Sequence, residues 1–170
     1  MNRMILALAL IAGLSLGANP QPTAVAGPDP IRQTVEPILR AFLAAAERLD
    51  VEATMAFCQD SPQFRFLLPD GRCVGYGEVK TLFKEAFAGF ASQKLPTREL
   101  RTQVLAPDAV LCSWIGGDDL VRADGSILRS DPYAGTYLFQ KLNGVWKLTY
   151  CHESGLPFAS ATPVEPAHGK

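Results

Sequence analysis

The stretch YAGTYLFQKLNGVWKLTYCHES, residues 133–154, decides the fold. Two runs rich in β-branched and aromatic residues flank Asn143-Gly144. Asn-Gly is a strong signal for a two-residue hairpin, because both turn positions need positive φ. In unbroken register the turn sets Leu142 opposite Val145, Phe139 opposite Leu148, Tyr137 opposite Tyr150 and Gly135 opposite His152. Alternation along the second strand then predicts one face with Trp146, Leu148, Tyr150 and His152, and another with Lys147, Thr149, Cys151 and Glu153. The first is expected to be the core face. It becomes polar toward His152, as a strand does where it leaves a packed core and starts to line a cavity.

Upstream, the period-2 pattern continues. Thr97–Leu105 reads as a strand, Pro107-Asp108 as a turn and Ala109–Ile115 as the next strand. That strand can run on to Val121 past a kink or bulge at Gly116-Gly117, with Asp118-Asp119 read as solvated. Ala123-Asp124-Gly125 turns the chain toward Tyr133. The first third has helical spacing instead. Val35, Ile38, Leu39, Phe42, Leu43, Ala46 and Leu49 form one stripe within Ile31–Leu49. Asp50 is placed to cap a short helix, Val51–Cys58. Phe64–Leu68 and Arg72–Tyr76 flank Pro69-Asp70-Gly71 as a small hairpin. Gly77-Glu78 opens a third helix with Val79, Leu82, Phe83, Ala86, Phe87 and Phe90 on one side. Three helices, a small hairpin and four longer strands make an α+β domain.

The chain has 170 residues, enough for one domain, with formal net charge −1 at pH 7. That balance lacks the cationic excess of a nucleic-acid binder. Hydrophobic residues at 48% and charged ones at 19% exclude a disordered chain. Arg3 followed by MILALALIAGLSL, residues 4–16, has the layout of a secretory signal and is too short to cross a hydrocarbon core of ~30 Å. Cleavage after Ala24-Val25-Ala26, with a site nearer Ser15-Leu16-Gly17 as the other candidate, assigns residues 1–26 to the signal, 27–33 to a linker, 34–157 to the domain and 158–170 to a Pro-rich tail. The expected product is secreted or periplasmic, with no membrane association once the signal is gone. In an oxidising compartment Cys58, Cys73, Cys112 and Cys151 can form one or two disulfides; they read equally well as buried free thiols. No phosphate loop, serine elbow or His-Glu-x-x-His motif occurs, so neither a cofactor nor a metal is expected.

A resemblance narrows the fold. Leu49-Asp50 leading into a short helix, then PDGRCVGYGEVKTLF, VLAPDAVLCSW and GTYLFQKLNGVWKLTYCHESG, resembles the SnoaL-like and nuclear-transport-factor-2-like superfamily. The closing WKLTYCHESGLP is also similar to the end of the association domain of calcium/calmodulin-dependent protein kinase. The resemblance implies a curved, mostly antiparallel sheet wrapped around three N-terminal helices, a conical pocket, and a homodimer formed through the sheet. It does not imply one activity, since members include isomerases, dehydratases, cyclases and non-catalytic assembly modules. Ketosteroid-isomerase-type members use a Tyr on the first helix and an Asp near the first strand. Ile31–Leu49 has no Tyr and Phe64–Leu68 no carboxylate, so that mechanism does not carry over.

The residues expected to line a pocket are His152, Tyr150, Trp114, Tyr137 and Tyr76, with Tyr133 as a further aromatic wall. His152 is the candidate general base, because imidazole titrates near neutrality; a pocket-lining or core-edge ring held by a neighbour is the favoured reading, since a lone ring without an identified partner is a weak catalytic signal. Adjacent strand residues face opposite ways, so Cys151 and Glu153 are excluded as its partners unless a bulge intervenes. The expected function is an exported domain binding a small apolar or aromatic molecule. A lyase or isomerase using His152, or an oligomerisation module, are the alternatives.

Overall fold

The computed structural model describes residues 29–161; the expected signal segment lies outside them. Asp29 accepts the Ile31 amide at 2.8 Å and Pro30 occupies the first turn, so α1 (Pro30–Glu47) starts where its orphan N–H groups are met. Val35, Leu39, Phe42, Leu43 and Ala45 are its buried side. Asp50 caps α2 (Val51–Ala56) through Ala53 N at 2.9 Å. A small hairpin, β1 (Arg65–Leu67) and β2 (Cys73–Val74), leads into α3 (Tyr76–Ala88).

Then come β3 (Phe90–Lys94), β4 (Thr97–Ala106), β5 (Ala109–Arg122), β6 (Ile127–Leu142), β7 (Val145–Gly155) and β8 (Ala159–Ala161). The sheet runs β2-β1-β7-β6-β5-β3, with β4 also on β5 and β8 also on β6. All pairs are antiparallel except β1 with β7. The result is an α+β fold: a large, curved, open sheet with its concave face over the N-terminal helices. Asn143 and Gly144, at φ 50° and 83°, make the expected turn between β6 and β7.

The hairpin departs from the expected register after four pairs. Phe139 faces Leu148, but Leu138 faces Tyr150, Tyr137 faces Cys151, Thr136 faces His152 and Gly135 faces Glu153. Thr149 is the extra residue of a β-bulge, and its hydroxyl donates to the Leu138 carbonyl at 3.3 Å. One inserted residue reverses every side chain beyond it. Leu148 and Cys151 therefore both lie in the core, while Tyr150 and His152 turn to the outer face of the sheet. This corrects the unbroken register, which put Cys151 outside and Tyr150 and His152 inside.

A second bulge lies between β5 and β6. Gly116 pairs with Tyr133 and Asp118 with Ser130, leaving Asp131 and Pro132 opposite Gly117 alone. Pro132 has no N–H to give a ladder, and the bulge asks for none. β5 thus continues through Gly116-Gly117, as its pattern allowed, and Asp118 lies buried in a strand rather than solvated in a turn. Two stretches depart from what their pattern predicts. Phe90 belongs to β3, not to the third helix. Residues 159–161, read as tail, pair with β6.

Glycine is required where the large aromatics cross the sheet. A Cβ on Gly135 would stand 2.2 Å from the Tyr137 hydroxyl, and one on Gly155 would stand 2.4 Å from the Tyr133 ring.

The four cysteines are free thiols; Cys73 is exposed and Cys58, Cys112 and Cys151 are buried. Burial pushes the Cys58 and Cys112 thiols up to about 12 and about 11. A thiol-specific reagent should therefore label one cysteine rapidly in the native protein, and Cys73→Ser should abolish that fast phase. Fast labelling of Cys151 would mean that β7 keeps the unbroken register.

Candidate functional site

A cavity of about 230 Å³ lies between the concave sheet face and the helices. α1 contributes Phe42 and Leu43, and α3 contributes Phe83 and Phe87. The sheet contributes Trp114, Asp118 and Leu120 from β5, Tyr133 and Tyr137 from β6, and Glu153 from β7. Gln93 of β3 and Phe158, just before β8, complete the polar end and the mouth. Phe158 is 41% exposed and its ring lies 6.2 Å from that of Tyr133.

Of the residues expected from sequence to line a pocket, Trp114 and Tyr137 do so, together with Tyr133. Trp114 spends its indole N–H on Thr97 Oγ1 at 2.8 Å, so it offers the cavity a ring face and no donor. Tyr137 stands edge-on to Phe42, with centroids 5.7 Å apart. Tyr150 and His152 are absent from the lining because the Thr149 bulge turned them outward. Tyr76 is absent as well: it begins α3 and packs edge-on against Phe64 at 6.0 Å.

The polar end is built from residues that the unbroken pattern did not select. The Tyr133 hydroxyl donates to Glu153 Oε2 at 2.7 Å. Gln93 Nε2 donates to both Asp118 oxygens, at 3.0 and 3.1 Å. Gln93 is 9% exposed and Asp118 6%, and the Gln93 Oε1 is buried without a partner. The amide must present its NH₂ to the carboxylate, which commits its carbonyl to the other side. Burial raises the Glu153 carboxyl to about 7 against the lowering effect of Tyr133, and the Asp118 charge raises it further. Burial likewise raises Asp118 to about 6, opposed by Gln93 and assisted by Asp119. Burial, then the Glu153 charge, raises the Tyr133 phenol. Asp119, on the other face, is engaged by Arg129 at 2.5 Å.

Chemically this is an apolar, aromatic chamber with two acids at one end, one of them poised to gain or lose a proton near neutrality. Among the described residues, no group of three or more His, Cys, Asp and Glu is arranged to hold a metal ion. A sequence signal for the acid existed, though a faint one. Cys151 and Glu153 share a phase, and Gly135 and Gly155, each beside a large aromatic, mark where the sheet admits a ring against its backbone.

A SnoaL-like domain model matches residues 35–159. The chain belongs to the SnoaL-like family. Solved structures agree on the fold. A nuclear transport factor 2-like superfamily protein from Salmonella enterica is 17% identical, covering 81% of this chain and 96% of that one at TM-score 0.65. A dehydratase candidate of the NTF2-like family from Streptomyces avermitilis is 19% identical, covering 73% and 94% at 0.64. The association domain of C. elegans CaMKII is 15% identical, covering 73% and 95% at 0.59. None of the curated proteins compared matches the chain. At these identities the likeness establishes the SnoaL-like fold and leaves activity to the site itself.

An acid that holds its proton more firmly folded than unfolded favours the fold at low pH and costs stability as pH rises through its folded value. Glu153→Gln should therefore match wild type near pH 4 and exceed it progressively up to pH 8, by on the order of 1–2 kcal/mol. Chemical denaturation at pH 4.5, 6 and 8 measures the gap. A gap that is constant, or that closes as pH rises, contradicts the placement of the half-buried Glu153 carboxyl inside the cavity.

Proposed function

We propose that this SnoaL-like chain is an exported domain that binds a small, mainly apolar or aromatic molecule in the cavity beneath its sheet. The observation that carries the reading is the combination of an aromatic-walled chamber of about 230 Å³ with a short polar end. Pockets of that kind hold a ligand by apolar contact and orient it by a few polar groups. A dry engineered cavity of about 150 Å³ in another protein accepts benzene, so this chamber suits one ring with a short substituent. The charged and apolar layout of residues 3–16 supports export. Likeness to an association domain supports a second copy pairing through the outer sheet face, where Leu138, Tyr150 and His152 are half-buried. Mass spectrometry of the mature N-terminus and sedimentation velocity check these two parts.

A second reading is favoured by one observation, the contact of Glu153 with Tyr133 inside the chamber. A carboxyl raised to about 7 beside a phenol suits proton transfer on a bound substrate, as a lyase or isomerase requires. In this reading the proton moves through Glu153, and His152 on the outer face takes no part.

Ethylbenzene tests the first reading. Calorimetric titration should detect its binding to wild type. Ala86→Phe, which fills the cavity from α3, should weaken that binding at least tenfold while thermal unfolding stays cooperative. Equal binding by the filled variant would place the ligand elsewhere.

A further inference from the structure

The ionisable groups around the cavity are of one sign. Asp118 and Glu153 face it, with the Tyr133 and Tyr137 phenols beside them. No Lys, Arg or His occurs among its described lining residues. A buried carboxylate without a counter-charge is costly, and two in one chamber are costlier. Among the described residues neither has a cationic partner: Asp118 is met by the Gln93 amide and Glu153 by the Tyr133 hydroxyl.

Gln93 is an independent pointer to a ligand. Its residue is nine-tenths buried, its NH₂ is spent on Asp118, and its Oε1 accepts nothing. An unmet buried carbonyl loses a hydrogen bond that only a donor can restore. The polar end therefore offers two carboxylate acceptors, Asp118 and Glu153, with the unmet Gln93 carbonyl on the amide that holds Asp118. A primary ammonium presents three donors and no acceptor. The remaining walls are ring faces, including Trp114, Tyr133, Tyr137 and Phe83. Such rings favour a cation over a neutral or negative group.

We propose that the cavity selects a small aromatic or alicyclic amine, bound as its ammonium, with its head between Asp118, Glu153 and Gln93 and its body against the aromatic walls. The proposal rests on the cavity-binding reading above and sharpens its ligand class. A carboxylate ligand would meet two acids of its own sign. A neutral alcohol would leave both acids without a counter-charge.

The test compares 2-phenylethylamine, 2-phenylethanol and 3-phenylpropanoate, which share a ring and chain length and differ in the head. Each is titrated calorimetrically into the full mature chain at pH 8 and at pH 5, with ethylbenzene as the reference. At pH 8 the amine should bind at least tenfold tighter than the alcohol, and the phenylpropanoate weakest of the three. At pH 5, where Asp118 and Glu153 gain protons, the preference for the amine should fall severalfold. Glu153→Gln and Asp118→Asn should each reduce the amine-to-alcohol ratio at pH 8 to within about threefold.

Equal affinity for amine and alcohol at pH 8, or binding of phenylpropanoate as tight as the amine, would overturn the proposal and leave the cavity reading standing through ethylbenzene. No binding of any of the four compounds would overturn both. Should either variant fail to fold, Gln93→Leu offers the same test. It removes the free acceptor and the amide together, and should lower amine affinity more than alcohol affinity.

Discussion

Thr149 stands outside the ladder that joins β6 to β7, and the chemistry of the cavity depends on that one unpaired residue. Before it, Leu148 faces the core; after it, Cys151 and Glu153 do. Without the extra residue a strand of strict period 2 would send Tyr150 and His152 inward. The bulge is stable because its polar groups are met. Thr149 is buried and its hydroxyl answers the Leu138 carbonyl at the point where the ladder is interrupted. The core accepts the shift because Cys151, small and apolar, fits where Tyr150 would not.

The rest of the site follows from this phase. Glu153 comes opposite Gly135, whose missing side chain leaves room for Tyr137. Tyr133 lies across Gly155 and reaches Glu153. On the neighbouring strand β5, unbroken alternation puts Trp114, Asp118 and Leu120 on the concave side, because the extra residue opposite Gly117 belongs to β6. Two acids on β5 and β7 thus meet one cavity, and burial holds both above the usual carboxylate range. That position costs stability at neutral pH, which is common where a fold keeps a group for binding or proton transfer rather than for packing.

The elements were legible where local chemistry sets them. Asp29 with Pro30, Asp50, and Asn143-Gly144 mark starts and turns through backbone needs that few other residues meet. The helical stripes showed which side of α1 would be buried. Resemblance supplied the family, and the family model agrees. Trp114 and Tyr137 were legible as cavity rings because each sits where alternation is uninterrupted from its nearest turn. Glu153 was not, because a bulge leaves no mark on composition and only breaks phase. Asp118 was hidden for a related reason: Gly-Gly-Asp-Asp looks like a turn unless the neighbouring strand is known to take up the irregularity. Gln93 lies in β3, whose pattern of Phe90–Lys94 merges with the end of the preceding helix.

The bulge is therefore the claim on which everything else stands, and strand register can be measured directly. In a nuclear Overhauser spectrum of the isotope-labelled domain, cross-strand backbone contacts are expected between Tyr137 and Cys151 and between Thr136 and His152. Contacts joining Tyr137 to Tyr150 and Gly135 to His152 instead would show an unbroken hairpin, return His152 to the concave face, and remove Glu153 from the cavity.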